Sequence, residues 1–436
     1  MKKSLSFLLV LVMLLGITAM VPAEQKELEG EITFWHSFTQ GARMEAIQEA
    51  ANKFMELNPK VTIKMETYSW GDFNTKWNAG LMTGDLPDIS TAQGTGEVVE
   101  MVNAGVISPV PDLIDEIGRD RFSERALSDM TRDGNNYGVP YYSHAQVMWY
   151  RQDLLEANNL EVPTTWKEFY DAAIALTKDG VYGAAVSLSP NDLLGTRYLN
   201  FYVQSGGGSL LNDDLSPNLT SELAIEGIKF WLDVYKNCSP AETINYTVLD
   251  HATLYYQGLT AFDFNSGFMV SGVQNNRPDL VQYVKCALLP TMNEGDPAYG
   301  AETSHIPLVL WNNAKAPEAA KAFLAFLYQE DNYVRFLDAV PVGMLPALKD
   351  ITTNEKFLAN PTVEQFKEEI AIISEAISLG SAIGFEHGPS VQASYLTSQG
   401  IVEEMFQDII TNGTEVEVAA QRAQDKLTEI FDTMIN

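Results

Sequence analysis

The sequence predicts an α/β fold built on a parallel sheet, and three observations carry that expectation. β-Favouring runs alternate with amphipathic helices between Glu31 and Ser90, polar and aromatic residues gather where those strands end, and 436 residues are enough for two lobes of ordinary size. Glu31-Ile32-Thr33-Phe34-Trp35 is the first strand, broken by His36-Ser37-Phe38-Thr39-Gln40-Gly41. Ala46, Ile47, Ala50, Phe54 and Leu57 then recur at helical spacing. Asn58-Pro59 ends this helix, because the residue before proline is pushed out of the α region. Val61–Met65 is a second strand, a polar helix runs through Asn78, and Gly84-Asp85-Leu86-Pro87-Asp88-Ile89 turns into a third. In parallel sheets ligands bind beyond the carboxyl ends of the strands, so Trp35 through Phe38 and Thr91 through Gly96, Gln93 among them, are candidate ligand positions.

The amino terminus predicts export. Lys2 and Lys3 precede an apolar run from Leu5 to Met20, and Val21 and Ala23 supply small residues at a cleavage point before Glu24. Residues 1–23 therefore read as a signal peptide. No cysteine lies near the cleavage point, so the expected product is an unlipidated periplasmic protein. No other segment approaches the ~18 uninterrupted apolar residues of a membrane span. Loss of Lys2 and Lys3 leaves 26 cationic side chains against 58 carboxylates. So acidic a surface repels nucleic acid and anionic headgroups. Cys238 ends a helix and Cys286 lies in an apolar strand, which favours two unpaired structural thiols.

No repeat or low-complexity linker divides the rest of the chain. Asp112–Asp120 reads as an acidic connecting helix or turn, Trp166–Thr177 as a helix and Val181–Val186 as a strand of a second α/β unit. Gly206-Gly207-Gly208 lacks the lysine and spacing of a phosphate loop and reads as a flexible turn. Thr260–Phe264 is a strand and Ala316–Leu337 one long helix. From Thr362 onward the pattern is helical, with breaks at Gly380, Gly384–Pro389 and Asn412-Gly413.

Catalytic motifs are missing from this pattern. The five histidines are scattered without the i,i+3 or i,i+4 pairing of a helical metal site, and no Gly-x-Ser-x-Gly elbow occurs. Neither a metal nor another cofactor is expected. The carboxylates are too many to exclude a glycosidase pair, yet none stands at a motif. Aromatics paired with polar residues at strand ends suggest a sugar site instead, since sugars offer apolar C–H faces and rims of hydroxyls. Such positions are Trp35, His36 and Phe38, then Tyr141, Tyr142 and His144, then Asn265 and Phe268, and last Gln392 and Tyr395.

Several segments carry a family likeness. They are Ile32-Thr33-Phe34-Trp35, Phe54 through Val61, the Gly84–Asp88 turn, Asp133-Gly134-Asn135-Asn136-Tyr137-Gly138-Val139-Pro140, Tyr150–Leu155, Pro163–Phe169, Gly258–Phe262, Leu288-Leu289-Pro290 and Gly343–Ala347. In that order the chain resembles the extracytoplasmic solute-binding proteins of sugar ABC transporters, the group typified by maltodextrin-binding protein. The resemblance implies a two-lobed periplasmic binding protein fold with several crossovers and a ligand cleft between the lobes. It puts residues 24–142 with about 303–343 in one lobe and 143–302 with about 344–436 in the other. Crossing and bending are expected at Gly138–Pro140 and near Glu302–His305. The implied role is capture of a sugar or oligosaccharide by hinge closure, with ABC permease subunits as partners and a monomeric state.

The same resemblance makes Phe268 the stacking ring with Asn265 beside it, and Tyr395 the counterpart of a late tryptophan. His144 stands where relatives carry a carboxylate. Ala92 and Thr95-Gly96 replace an aromatic and charged pair, which makes maltodextrin itself an unsuitable ligand. Trp35, Phe268 and Tyr395 are expected to stack on the ligand. Two other readings stay open: a receptor for a cationic solute such as a polyamine, which suits an acidic protein with aromatic residues, and an exported glycosidase.

Overall fold

The computed structural model describes residues 27–39 and 41–435. The expected leader lies outside these residues. The strands, in chain order, are β1 (Gly30–His36), β2 (Val61–Thr67), β3 (Ile89–Thr91), β4 (Thr131–Arg132), β5 (Asn135–Asn136), β6 (Val139–Ala145), β7 (Val147–Arg151), β8 (Phe262–Asn265), β9 (Val284–Ala287), β10 (Thr303–Leu310) and β11 (Leu345–Pro346). The first lobe is a six-stranded sheet of order β11-β6-β10-β3-β1-β2. Its β1, β2 and β3 are parallel, as the alternation predicts, and the helices α1 (Gly41–Leu57) and α2 (Trp70–Thr83) connect them. β10 runs antiparallel between β3 and β6 and makes the sheet mixed.

Alternation along β1 splits its side chains between two layers. Ile32 and Phe34 face a core shared with Ala46, Ile47 and Phe54 of α1 and with Phe323. Trp35 points to the opposite face, among Phe73, Trp77 and Trp311. Asn58-Pro59 does end α1, and Gly84 closes α2 in the left-handed region with its N–H on the Gly80 carbonyl. Ala316–Leu337 is two helices, Pro317–Leu327 and Glu330–Leu337. The break falls at Tyr328, which is drawn into the core where its hydroxyl donates to the carbonyls of Val139 and Pro140.

The second lobe holds the antiparallel sheet β8-β7-β9 wrapped in helices. Its core is aromatic: Trp166, Phe169, Trp231 and Phe264 pack at centroid separations of 5.0–6.3 Å. Val181–Val186 is extended but forms no strand. Its hydrogen bonds alternate between Leu259–Phe262 and the Cys238 carbonyl, so no continuous ladder develops. Cys238 and Cys286 are both buried and unpaired. No helix among the described residues is long and apolar enough to cross a membrane.

Two crossings between the lobes run side by side. β6 stays paired with β10 through Ala145 and Thr303, and Gln146 then donates its N–H to the Glu302 carbonyl at 3.1 Å. β7 starts at once in the other sheet. The chain therefore crosses at Ala145–Val147 and Ala301–Thr303, later than the Gly138–Pro140 bend expected from sequence. Leu345 and Pro346, assigned from sequence to the second lobe, pair with Ser143 and Tyr142 in the first sheet. Strand pairing holds these residues in the first lobe beyond the point where the local sequence breaks. The helix Lys367–Leu379 packs behind the crossings, with Thr303 N–H on the Ser381 carbonyl just beyond it.

Candidate functional site

The expected site residues divide into core and lobe junction. Trp35 is 2% exposed, with the Tyr68 ring at 5.4 Å and the Lys76 ammonium 4.6 Å from its centroid. Phe38 and Tyr141 are fully buried and pack on Phe336 at 4.9 and 4.4 Å. His36 lies between Phe34 and Phe38, and its Nδ1 accepts from the Phe38 N–H at 3.3 Å. Burial pushes its pKa down to about 4, which keeps the ring neutral. These four residues serve the first-lobe interior. Trp35→Ala should thus cost about 3–5 kcal/mol of stability, read by urea denaturation, and leave ligand affinity unchanged. Weaker binding with unchanged stability would restore the stacking role.

The others lie closer to the junction. Tyr142 is buried beneath Arg43, whose guanidinium lies 5.6 Å from the ring centroid. His144 is half-buried and its Nδ1 has no partner. Burial first, then the Arg197 and Arg43 guanidiniums and the His305 ring, push its pKa down to about 3. That dependence puts a first-lobe arginine from α1 and a second-lobe arginine from the helix Leu194–Ser205 within electrostatic reach of one imidazole. Phe268 is half-buried and packs against apolar clusters of both lobes, while the backbone at Gly267 meets that at Val342 too closely for any Cβ. Val342 has φ 70°, a strained value for a β-branched residue. Asn265 faces inward: its amide donates to Asp263 at 3.3 Å, and Asp263 contacts His251 at 3.0 Å.

Gln93 and the pair Gln392 and Tyr395 mark a second part of the junction. The helix α3 (Thr95–Asn103) packs against the helix Val391–Ser398, and Val99 joins the second-lobe core. Gly96 meets Ser394, whose hydroxyl donates to Glu100. Tyr395 lies near the same Glu100 carboxylate, and Arg132 donates to the Pro389 carbonyl at 3.0 Å. Gln93 donates its N–H to Glu97 at 2.5 Å.

Sequence reasoning reached Ser37, Thr95 and His144 but passed over Arg43, Gln146 and Arg197. Ser37 Oγ, Arg43 Nε, Thr95 Oγ1, Gln146 Oε1 and Arg197 Nη1 are all buried and without a hydrogen-bond partner, as is His144 Nδ1. Buried polar atoms are almost always bonded, so these six are candidates to meet a polar guest, while ten other such atoms, Ser187 Oγ, Trp231 Nε1 and Thr260 Oγ1 among them, lie elsewhere among the described residues. Arg197 is otherwise held by Glu302 in a two-pronged pair at 2.5 and 2.9 Å. One signal was available for Arg43. It occupies the first turn of the α1 stripe that continues as Ala46, Ile47, Ala50 and Phe54, a place for an apolar residue.

Glu97 gives the junction a pH dependence. Burial outweighs the hydrogen bonds from Gln93 and Trp77 and pushes its pKa up to about 8, while burial takes Glu403 to about 7. A carboxyl raised on folding stabilises fully below its ordinary value of 4.5 and loses that contribution as pH rises through 8. The depressed histidines His36, His144 and His305 act with the opposite sign, but only below their ordinary 6.5. Stability should therefore fall between about pH 6.5 and 8, by up to about 1.4 kcal/mol per pH unit for each proton. Glu97→Gln should flatten most of that slope in urea titrations. An unchanged slope would show that Glu97 does not carry it.

An open hollow of about 720 Å³ lies elsewhere, lined by Gly207, Gly208, Asp213, Asp214, Glu386 and His387 among others. It belongs wholly to the second lobe, and none of the unpartnered buried atoms lines it. Among the described residues no group of three or more His, Cys, Asp or Glu could hold a metal ion.

Comparison with known proteins agrees with this architecture. The sequence profile described as bacterial extracellular solute-binding protein matches residues 38–334. The chain belongs to that family. Among the relatives of this solute-binding protein is a putative ABC transporter periplasmic-binding protein of Escherichia coli K12, 23% identical over 94% of both chains. An arabinooligosaccharide-binding protein of Halalkalibacterium halodurans is 23% identical over 92% of this chain and 90% of its own. The fold matches a Thermotoga lettingae solute-binding protein bound with α-D-tagatose, with a TM-score of 0.79 at 20% identity, covering 92% of this chain and 100% of the other. A maltose-bound T. maritima protein matches with a TM-score of 0.78 at 18% identity, covering 92% and 99%.

Proposed function

We propose that this solute-binding protein is the receptor of an ABC importer, which captures a sugar or oligosaccharide between its lobes and delivers it to a membrane permease. The observation that carries the reading is the set of unpartnered buried polar atoms at the junction. Ser37, Arg43, Thr95 and His144 come from the first lobe, Gln146 from a crossing and Arg197 from the second lobe. A sugar ring of hydroxyls can both donate to and accept from such groups. Because the contacts come from both lobes, they are completed only when the lobes close, and the ligand shifts the population toward closure. The names of the sugar-binding relatives and neighbours support the same class of ligand.

Two guanidiniums at the junction speak against a polyamine, which they would repel. Glu302 is paired with Arg197, and Glu97 is held by the Gln93 N–H and the Trp77 indole, an arrangement that favours a receptor over a facing pair of glycosidase carboxyls. The protein on this reading makes and breaks no bond, works as a monomer, and reaches the periplasm without lipid after removal of residues 1–23.

The test combines a thermal-shift screen of mono- and oligosaccharides with small-angle scattering and product analysis. A hundredfold excess of ligand over Kd should add about 2.7 kcal/mol of stability. The radius of gyration should fall and the sugar should be recovered unchanged. Tight binding without a change of shape would overturn hinge closure, and hydrolysed sugar would overturn the receptor role.

A further inference from the structure

Three arginines are buried among the described residues: Arg43, Arg151 and Arg197. Arg151 is paired with Asp153 at 2.6 Å and Arg197 with Glu302 at 2.5 Å. Arg43 is 7% exposed and has no carboxylate partner among the described residues. Its Nε is unpartnered, and its known neighbours are the Tyr142 ring and hydroxyl. A buried guanidinium without a counter-charge is costly, and an anion at this place would offset that cost. Arg43 is also out of step with a chain of net charge −30, whose overall field holds anions away.

The surroundings suit the same kind of guest. The Arg197 Nη1 is unpartnered on the opposite lobe, and Ser37 Oγ and Thr95 Oγ1 add two further unpartnered hydroxyls. Gly94 stands before α3 with φ 145°, offers no side-chain cap, and lies where a Cβ would come 3.0 Å from Ser304 Oγ. Ser304 is the β-sheet partner of His144, so Gly94 at the start of α3 borders the strand position whose imidazole feels the charge of both arginines. The N–H groups of a helix's first turn favour negative charge. Glu97, the one acid of that turn, faces Trp77 and the Gln93 N–H. Its raised pKa of about 8 leaves it largely uncharged near neutrality.

We infer that the ligand is an anionic sugar, a uronic acid or an oligosaccharide that contains one, with its carboxylate on Arg43 and with Arg197 contributing from the other lobe. The inference rests on the sugar-receptor reading and names the substrate class. A planar guanidinium and a carboxylate match in two-pronged geometry, and a lysine at the same place would lose one prong. The remaining hydroxyls of the sugar would occupy the Ser37, Thr95 and His144 groups.

Calorimetry on the mature protein decides it, with D-glucuronate, D-galacturonate and digalacturonate as probes. Glucose, galactose and lactose form the neutral arm, the methyl ester of galacturonate removes charge at constant shape, and glucose 6-phosphate offers a different anion. A uronate should bind at least about 100-fold more tightly than its neutral counterpart or its ester. Arg43→Met should abolish that preference, weakening uronate binding about 100-fold and neutral-sugar binding far less, with Arg43→Lys intermediate. The ligand-free Arg43→Met protein should melt at or above the wild-type temperature, because it loses an unpaired buried charge, whereas a structural arginine would lower it. Tighter binding of neutral sugars, or an Arg43→Met variant that still prefers uronates, overturns the inference and leaves the receptor standing. Tightest binding of glucose 6-phosphate overturns the carboxylate assignment. Failure of every sugar to bind overturns both.

Discussion

Glu302→Ala should destabilise the protein by about 3–5 kcal/mol, because it strands the Arg197 guanidinium in a site where both side chains are nearly sealed from water. The pair does more than neutralise charge. Glu302 sits on one crossing between the lobes, and its main-chain carbonyl accepts from Gln146 on the other. Its carboxylate also lies 3.5 Å from the Gln146 amide. Losing it should loosen the two crossings together and weaken ligand binding as well as stability. The double variant Arg197→Met/Glu302→Ala removes both charges and should recover most of the stability but not the affinity. Urea denaturation and calorimetry on the three variants read the two effects separately. A Glu302→Ala protein as stable as wild type would mean that water or another group already satisfies Arg197.

Gly96→Trp should abolish tight ligand binding while the protein stays folded. A Cβ at Gly96 lies 3.3 Å from Ser394 Oγ and 3.6 Å from Ser394 Cβ, so an indole would occupy the space of the facing helix Val391–Ser398. Glycine inside a helix is itself unfavourable, so the substitution costs α3 nothing locally. The wedge should act on the closed state alone. Apparent affinity scales with the fraction of molecules able to close, so a hundredfold fall in that fraction weakens binding about 100-fold. Scattering should show a radius of gyration that no longer responds to ligand, and Gly96→Ala should lie between the two. Wild-type affinity in Gly96→Trp would place the closing surface elsewhere than at α3.

Much of the fold was legible because its signals are local. The three parallel strands, the stop of α1 at Asn58-Pro59 and the helical pattern after Thr362 follow from periodicity and from the backbone limits of proline and glycine. His144, Phe268 and Tyr395, expected at a ligand site because each follows a strand or break, lie at the lobe junction. Where the reading failed, long-range contacts decided. Trp35, Phe38 and Tyr141 sit in sequence beside cleft-like breaks, yet sheet alternation and the packing of Phe336 and Trp311 carry them into the interior.

The sequence alone therefore determined the α/β class, the order of most elements, the acidic surface and the character of the breaks, all of which depend on neighbours a few residues apart. Only the tertiary structure decided which polar groups go unsatisfied. Arg43 and Arg197 are separated by more than a hundred residues, and so are Gln146 and Glu302. Whether a buried guanidinium finds a carboxylate depends on what the other lobe brings to it. Glu302 reaches Arg197, no described carboxylate reaches Arg43, and no local pattern along the chain could have told the two apart.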